Sequence, residues 1–518
     1  MRIGIDVGGT NTDAVLMNHR SVLAEVKTAT TPDVTGGILA ALASVLGQSG
    51  VAPAQIDTVM VGTTHFTNAV VEAKRLLPVA AVRIGLPATR SLPPLVDWPE
   101  RLRAAVAGDV FLCHGGHEFD GARIAPLDRD ELLRAGEEIA ARGLRAIAIS
   151  SVFSPINADC EQEAAEILRS AVPGAAVSLS SEVGRLGLLE RENATIINAC
   201  LADLATDIAG SFRTAFAASG IDAPVYLSQN DGTLMTVEFA ERYPVATFAS
   251  GPTNSMRGAA LLSGEENCAV VDIGGTTADI GILDHGFPRE ARATVDVGGV
   301  RTNFRMPDVL PLGLGGGSRV RTGAGAVTVG PDSVGYQLTR SALVFGGDVL
   351  TASDIAVASG RATFGDGAAV AHLEPRLVKE ALEVVETTIA EALDRMKTDS
   401  GPVPVVVVGG GSVLLGDHLP GASRLIRPDH FAVANAIGAA IAQVGGEVDR
   451  MFSVGKTTRS EAIEAAKEEA VAKAVAAGAR EDTVRIVDVE ELAIAYIPGD
   501  AVRIKVKAVG DLATGGPR

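Results

Sequence analysis

The chain has 518 residues, 47% of them hydrophobic, and a formal net charge of −18 at pH 7. This length exceeds what one hydrophobic core supports, so two or three domains are expected. The net negative charge, with no block of basic residues to neutralise phosphates, argues against a nucleic-acid partner.

Cysteine usage and the lack of export signals predict a cytoplasmic location. The four cysteines are widely spaced and form no CxxC pair; they are Cys113, Cys160, Cys200 and Cys268. This spacing favours free, buried thiols in a reducing compartment. We find no signal peptide and no apolar run as long as a membrane span.

The chain opens with a strand, a glycine turn and two further strands over residues 1–30. The turn lies between two apolar runs and is flanked by Asp6 and Asp13; between them stand Gly8, Gly9, Thr10, Asn11 and Thr12. Glycine permits positive φ and leaves room for another group to approach the backbone. A helix is predicted over residues 33–49.

A buried strand over residues 57–62 ends in a polar cluster before a short helix at 69–74. The cluster contains Thr63, Thr64, His65 and Asn68. Polar groups between a strand end and a helix N-terminus are well placed to meet a ligand, so these four are substrate-side candidates. Simple capping of the helix is the alternative, and His65 could be a base or a hydrogen-bonded polar residue.

Residues 86–125 are predicted to be irregular, and alternating helices and strands follow. The irregular segment contains His114 and His117, a pair that could bind metal, although two histidines without a third ligand usually do not. Helices at 128–142 and 158–171 surround a buried strand at 144–152, a pattern typical of an α/β domain. Residues 188–218 are predicted to be helical and to connect two lobes.

A second glycine turn repeats the first. It is flanked by Asp272 and Asp279 and contains Gly274, Gly275, Thr276 and Thr277. Asp6 and Asp272 are 266 positions apart. Backbone N–H groups and threonine hydroxyls at such turns suit a phosphate, and the neighbouring aspartates suit Mg²⁺.

The rest of the chain supplies a third glycine element and a different C-terminal segment. A buried strand at 403–408 runs into Gly409, Gly410, Gly411 and Ser412, and a small-residue helix at 435–440 is predicted to be a second connector. Residues 461–477 predict a charged, alanine-rich helix, followed by strands near 491–497 and 501–507. We expect domains at residues 1–187, 188–452 and 453–518, the last a small α+β appendage.

The pair of glycine turns resembles the two phosphate loops of the actin-like ATPase superfamily, which includes sugar kinases, actin and heat-shock chaperones. The resemblance implies an α/β fold with two actin-like (ribonuclease H-like) lobes around a nucleotide cleft. It implies that ATP and Mg²⁺ are bound, with Asp6 and Asp272 holding the metal. The glycine run at 409–412 resembles the adenosine loop of that superfamily.

The order of the motifs over residues 1–445 resembles the hydantoinase A/5-oxoprolinase family more closely. The matching segments are Gly4–Asp13, Gly62–Thr64, Thr67–Ala69, Ser180–Val183, Glu190–Arg191, Ser250–Pro252, Val271–Asp279 and Gly315–Ser318. Many relatives carry His-Thr-Ile-Gly before the last segment, whereas this chain has Leu310–Gly313, so no role for that histidine carries over. The chain is also shorter than the usual family subunit.

The family resemblance implies an ATP-dependent hydrolase of a cyclic amide, such as hydantoin, 5-oxoproline or another lactam. It implies phosphorylation of the amide oxygen, a hydantoinase B-like second subunit and an oligomer. The alternatives are a small-molecule kinase and a nucleotide-dependent activator of a partner enzyme. Asp13 or Asp279 would either orient a nucleophile or cap its own hairpin.

Overall fold

The computed structural model describes residues 1–9, 11–30, 34–291, 294–323, 326–453, 458–493 and 501–513. The strands of these residues are β1 (Arg2–Val7), β2 (Asn11–Asn18), β3 (Ser21–Ala29), β4 (Thr58–Thr63), β5 (Val79–Leu86), β6 (Ala107–His114), β7 (Ala146–Ser151), β8 (Ala176–Leu179), β9 (Val225–Ser228), β10 (Thr233–Thr236), β11 (Cys268–Ile273), β12 (Ala278–Asp284), β13 (Phe287–Pro288), β14 (Val295–Val297), β15 (Val300–Thr302), β16 (Val309–Leu312), β17 (Ser318–Gly323), β18 (Ala326–Ser333), β19 (Val403–Val408), β20 (Ala422–Ile426), β21 (Gln443–Ser453), β22 (Arg485–Ala493) and β23 (Ala501–Gly510).

The helices of the described residues are α1 (Val34–Ser49), α2 (His65–Glu72), α3 (Glu100–Val106), α4 (Arg129–Ala141), α5 (Asp159–Ala171), α6 (Ser180–Val183), α7 (Leu188–Cys200), α8 (Ala202–Ser219), α9 (Val237–Arg242), α10 (Ser250–Ser263), α11 (Leu338–Ser341), α12 (Ala352–Ala358), α13 (Pro375–Met396), α14 (Ala434–Ala440) and α15 (Arg459–Ala476). Each of them is too short or too polar to cross a membrane. The protein is therefore a mixed α/β structure with several sheets, as predicted.

The largest sheet has nine strands in the order β22-β23-β21-β10-β9-β4-β1-β2-β3. Its first hairpin is antiparallel, and β4 runs parallel to β1. Successive side chains of β1 point to opposite faces of the sheet, so Ile3 and Ile5 lie on the same face, in the core that α1 and α8 cover. Gly4 faces the other side, where a Cβ would lie 2.7 Å from the Cβ of Ala440, so α14 packs directly on the strand.

A second sheet repeats this arrangement with the order β13-β12-β11-β19-β20, and β16 pairs with β12. β11 and β12 form an antiparallel hairpin, and β19 runs parallel to β11. Asp6 pairs with Asp13 across the first hairpin, and Asp272 pairs with Asp279 across the second. Residues opposite each other in an antiparallel pair point to the same face, so each hairpin carries two carboxylates on one side.

A separate four-stranded sheet, β6-β5-β7-β8, is parallel throughout. It is formed by residues 79–179, where the alternating pattern predicts an α/β unit. The apolar faces of α4 and α5 cover it, with Leu132, Ile139 and Leu168 fully buried. Parallel strands need crossover connections of this kind, which place helices on the sheet.

Two helices carry the chain between the large sheets. α10 leads from β10 to β11, and α14 leads from β20 back to β21. The connector role predicted for residues 188–218 is wrong, because α7 and α8 pack in the core of the first sheet with Ile3 and Ile5. The second connector is confirmed at α14, which crosses α10 at a contact between Gly258 and Gly438.

The C-terminal strands extend the first sheet. β21 pairs with β10 and β23, and β22 forms the edge. The predicted strand near 491–497 begins earlier, at Arg485, and residues 494–500 lie outside the described residues. α15 covers these strands with a row of fully or almost fully buried alanines: Ala462, Ala466, Ala470 and Ala474. Strand pairing thus crosses both predicted domain boundaries, and the division into domains stays a prediction.

A buried group of ion pairs fixes the C-terminal strands to the first sheet. The Nζ atom of Lys507, on β23, lies 2.9 Å from the Oδ2 atom of Asp231. The same oxygen accepts a hydrogen bond from the Nη1 atom of Arg305 at 3.2 Å. Lys505 pairs with Glu290 at 2.5 Å. Burial raises the pKa of Asp231, but Lys507 and Arg305 outweigh burial and hold it below its ordinary value. Burial likewise raises the pKa of Glu290, but Arg305 and Lys505 outweigh burial and lower that pKa to about 2.

Replacing Asp231 by Asn is expected to destabilise the protein in a pH-dependent way. At pH 7 the loss should be about 3–5 kcal/mol, because Lys507 is left buried without its anion. A carboxylate with a depressed folded pKa stabilises the fold above its unfolded pKa and loses that contribution as pH falls through the folded pKa. The difference in unfolding free energy between wild type and variant should therefore shrink below about pH 4. Urea unfolding from pH 7 to 2.5 measures it, and a constant difference would contradict the assignment.

Candidate functional site

Both glycine hairpins open onto one cleft of about 740 Å³ between the two large sheets. The first hairpin contributes Gly8, Gly9, Asn11 and Asp13, and the second contributes Asp272, Gly274, Gly275, Thr276 and Thr277. The turns are closed alike: Gly8 N–H donates to the Asn11 carbonyl at 3.0 Å, and Gly274 N–H donates to the Thr277 carbonyl at 2.9 Å. Thr10 lies outside the described residues, and Thr12 is buried away from the cleft.

The aspartates of the first hairpin are held from two directions. Lys27, on β3, donates to both carboxylate oxygens of Asp13 at 2.7 Å. The side-chain amide of Asn435, in the first turn of α14, donates to the Oδ2 atoms of Asp6 and Asp13, each at 2.9 Å. The other oxygen of Asp6, Oδ1, is buried close to the side-chain amide of Asn254, which acts to lower the Asp6 pKa, but the two form no hydrogen bond of normal geometry. Burial and then Asp13 raise the pKa of Asp6 to about 7.

Within the described residues, the second hairpin has no counterpart to the hydrogen bonds that Lys27 and Asn435 make to the first. Asp272 faces the cleft, while Asp279 lies beside it and makes no side-chain hydrogen bond within the described part of the chain. Burial raises the pKa of Asp272, and Ser255 acts in the opposite sense through a hydrogen bond. Burial and then Asp272 raise the pKa of Asp279 to about 7. The two hairpins are alike in backbone but differ in the side-chain partners of their aspartates.

The third glycine element packs against the second hairpin. Gly409 has φ +83°, and a Cβ there would lie 2.8 Å from the carbonyl carbon of Ile273 and even closer to Asp272. Gly411 N–H donates to the Ile273 carbonyl at 2.7 Å. Gly409, Gly410 and Gly411 line the cleft, whereas Ser412 is fully buried behind them. Only glycine fits this approach of backbone to backbone.

The glycine stretch at 315–317 supports the same turn from the other side. Gly316 N–H donates to the Gly274 carbonyl at 3.0 Å, and Gly317 N–H donates to the Gly275 carbonyl at 2.6 Å. Gly316 also lines the cleft beside Ser353. These bonds occupy the carbonyls of Gly274 and Gly275, and both glycines line the cleft.

The four substrate-side candidates divide into two pairs. Thr64 and Asn68 line the cleft next to the first hairpin, and the Asn68 amide donates to the Thr64 hydroxyl at 3.4 Å. Thr63 is buried, and its hydroxyl lies 2.7 Å from the Nδ1 atom of His65. Burial and then Arg75 lower the pKa of His65. Thr63 and His65 form a second layer behind the residues that reach the cavity.

An aromatic pair at the cleft escaped the sequence analysis. The rings of Phe345 and Phe364 are stacked, with centroids 6.0 Å apart and an interplanar angle of 14°. Both line the cleft near Val413 and Leu414, which follow the third glycine element. The segments that carry them show no helical or strand periodicity that would predict this pairing. Aromatic residues make up only 4% of the chain, and that scarcity is the one feature of the sequence that could have drawn attention to these two. Lys27 was also missed, because its partner lies on another strand.

The fold and cleft define a mixed α/β protein whose two sheets each present a glycine hairpin to one cavity. Two family models match the chain: the hydantoinase/oxoprolinase N-terminal region over residues 2–172, and hydantoinase/oxoprolinase over residues 191–366. The chain belongs to the hydantoinase/oxoprolinase family, which confirms the resemblance seen in its motifs.

Two characterised relatives are subunits of larger enzymes. Caprolactamase subunit alpha of Pseudomonas jessenii is 28% identical over 472 residues, which cover 85% of this chain and 65% of the relative. The acetophenone carboxylase gamma subunit of Aromatoleum aromaticum is 26% identical over 399 residues, which cover 69% of this chain and 53% of the relative. The chain therefore spans between half and two-thirds of the length of these relatives.

Solved structures share the fold. The ATP-dependent caprolactamase from Pseudomonas jessenii superposes with a TM-score of 0.80 at 20% identity, over 100% of this chain and 89% of that chain. Nucleotide-free acetone carboxylase superposes with a TM-score of 0.72 at 18% identity, over 99% of this chain and 88% of that chain. At such identities the likeness concerns the fold alone.

Proposed function

We propose that this chain is the ATP-binding subunit of an enzyme that hydrolyses a cyclic amide after phosphorylation of the amide oxygen. The observation that carries the proposal is the pair of glycine hairpins, each with two carboxylates, that face one cleft. Membership of the hydantoinase/oxoprolinase family supports the reaction class. We interpret the two large sheets as two actin-like, ribonuclease H-like lobes.

One carboxylate at the cleft and one buried beside it fit a magnesium ion: Asp272 lines the cavity, while Asp6 is buried next to Asp13 and Asn435, which line it. Oδ1 of Asp6 is a buried carboxylate oxygen that accepts no hydrogen bond of normal geometry within the described residues, and such groups are normally satisfied. Asp272 offers a second carboxylate at the cavity wall. Hard oxygen donors of this kind suit Mg²⁺, which keeps several of its waters. Asp6 and Asp272 would hold the ion.

The rest of the cleft fits a nucleotide triphosphate. The turn amides, with Asn11, Thr276 and Thr277, are proposed to bind phosphate oxygens because these residues line the cleft, and Thr10 is proposed for the same role. The backbone at Gly409–Gly411 and the rings of Phe345 and Phe364 are proposed to receive the adenosine. Bound Mg²⁺-ATP supplies the phosphoryl group that turns an unreactive amide oxygen into a leaving group. The chain contributes positioning and charge neutralisation.

We propose different tasks for Asp13 and Asp279, the aspartates on the second strand of each hairpin. Both oxygens of Asp13 accept hydrogen bonds from Lys27, and Asn435 adds a third, so Asp13 acts as a structural anchor for the first hairpin. Asp279 has no such partners within the described residues, and it remains the aspartate free to orient a nucleophile. Thr64 and Asn68 are proposed to contact the substrate, with Thr63 and His65 positioning them from behind.

ATP turnover in the presence of candidate lactams tests the function. Phosphate release should be stimulated by hydantoin, 5-oxoproline or caprolactam, in equal amount to the ring-opened amino acid measured by mass spectrometry. The full chain is assayed alone and together with a hydantoinase B-like protein, because both named relatives are subunits. An oligomer containing both chains is expected.

Other products would identify the other candidates. A stable phosphorylated product without ring opening would indicate a small-molecule kinase and overturn the hydrolase. Turnover stimulated by the partner protein, with no lactam consumed, would indicate an activator. Phosphate release that requires a ketone and bicarbonate would indicate carboxylation, which the carboxylase relative makes the second candidate.

A further inference from the structure

The two histidines at the end of β6 and just beyond it, His114 and His117, belong to different clusters. His114 pairs with Glu131 at 2.9 Å and lies near Asp128. His117 lies instead at the start of α5, where its Nε2 atom is 3.2 Å from the Oδ1 atom of Asp159. The donor atoms of His117, Asp159 and Cys160 all lie within 4.8 Å of one another. Tertiary packing thus brings Asp159 and Cys160 to His117 as further possible ligands, which the spacing of the two histidines in the sequence did not predict.

The His117 side chain is buried and incompletely satisfied. It is 1% exposed, and its Nδ1 atom has no hydrogen-bond partner among the described residues. Cys160 is also 1% exposed. Buried polar atoms normally have partners, and an exception calls for a physical account. Binding of a metal ion at Nδ1 is such an account, since Nε2 already lies beside Asp159.

The surroundings of Cys160 accommodate a thiolate once a metal is bound. Burial and Asp159 raise the pKa of the thiol in the metal-free protein, while a hydrogen bond from the Gly116 backbone acts in the opposite sense. Cys160 is the second residue of α5, a helix of 13 residues, so the helix N-terminus also favours negative charge there. A bound metal displaces the remaining proton, as coordinating thiols are deprotonated.

We propose that His117, Asp159 and Cys160 bind a zinc ion, with water in the fourth position. One nitrogen, one oxygen and one sulfur donor form a set that Zn²⁺ accepts in tetrahedral geometry. Arg123, which lies 3.3 Å from Asp159, is half exposed and turns to solvent when the ion takes its place. The ion fastens the segment after β6 to α5 at the edge of the four-stranded sheet. The proposal is independent of the chemistry in the cleft.

Zinc binding is measured on the untagged full chain after removal of metal with a chelator. Zinc is titrated against a chromogenic chelator in excess Mg²⁺, which occupies hard oxygen sites. We expect one equivalent to bind and the thermal midpoint to rise. Loss of a residue that only supports a ligand already costs about tenfold or more in metal affinity. His117→Ala and Cys160→Ser each remove a direct ligand, so each should weaken zinc binding by more than about tenfold. With Co²⁺ as the probe, Cys160→Ser should also abolish the thiolate-to-cobalt absorption band.

The chain offers matched controls. His114→Ala removes the other histidine of the segment, and Cys113→Ser removes another buried thiol; both should bind zinc as wild type does. If Cys160→Ser does not fold by circular dichroism, Asp159→Asn replaces it, because the Asp159 side chain is half exposed. Failure of the wild type to compete with the chelator would overturn the proposal, as would wild-type affinity in a folded His117→Ala variant.

Discussion

Asp272→Asn is expected to reduce ATP hydrolysis by on the order of 100-fold or more, the cost typical of losing one preorganised electrostatic group. The carboxylate of Asp272 faces the cleft between the hairpins, and an amide of the same shape removes its charge without changing its packing. The folded state should not lose stability, because the variant also relieves repulsion between Asp272 and Asp279. A phosphate-release assay over a range of Mg²⁺ concentrations measures the effect.

Asp308→Asn is the matched control for this variant. Asp308 stands just before β16 and pairs with Arg289 at 2.7 Å, outside the cleft. It should retain turnover while changing stability slightly, since partly exposed ion pairs contribute about 0–1 kcal/mol. Wild-type turnover in folded Asp272→Asn would mean that the hairpins are not the ATP site.

Gly438→Ala is expected to lower the free energy of unfolding by at least about 1–3 kcal/mol, the range for overpacking a tight contact. A Cβ at residue 438 would lie 2.6 Å from the carbonyl carbon of Asn254 and 2.9 Å from the nitrogen of Gly258. These neighbours are backbone atoms of α10, so they cannot rotate away. Urea unfolding with a fluorescence or circular dichroism readout gives the change.

The same variant should also reduce turnover in the fraction that stays folded. The turn of α10 that would be displaced carries Ser255, which lines the cleft, next to Asn254. α14 begins with Ala434 and Asn435, and the Asn435 side chain bonds both aspartates of the first hairpin. Moving the two helices apart would therefore shift groups at both hairpins at once.

Gly210→Ala provides the comparison. Gly210 lies within α8, and a Cβ there would meet no atom within 4 Å. Replacing an unobstructed helical glycine by alanine should raise stability by about 0.5–1 kcal/mol. If Gly438→Ala were neutral or stabilising as well, the close contact between α10 and α14 would be wrong.

The sequence by itself determined the local elements of the site. Each hairpin is written in adjacent residues: an apolar run, an aspartate, two glycines and a second apolar run, whose strand period and turn chemistry do not depend on the rest of the chain. The third glycine element and α14 were predicted on the same grounds. The residues that line the cleft from these segments, such as Gly8, Asp272 and Gly409, could therefore be named in advance.

Only the tertiary structure decided which side chains meet. Lys27 and Asn435 converge on Asp13 from β3 and α14, a contact spanning 422 positions in the case of Asn435. The pairing of Phe345 with Phe364, of Asp231 with Lys507 and of His117 with Cys160 likewise depends on how distant segments pack. Local periodicity records which face of an element is buried, but not which partner buries it. The side-chain partners of the aspartates, which differ between two similar hairpins, were therefore set by long-range packing.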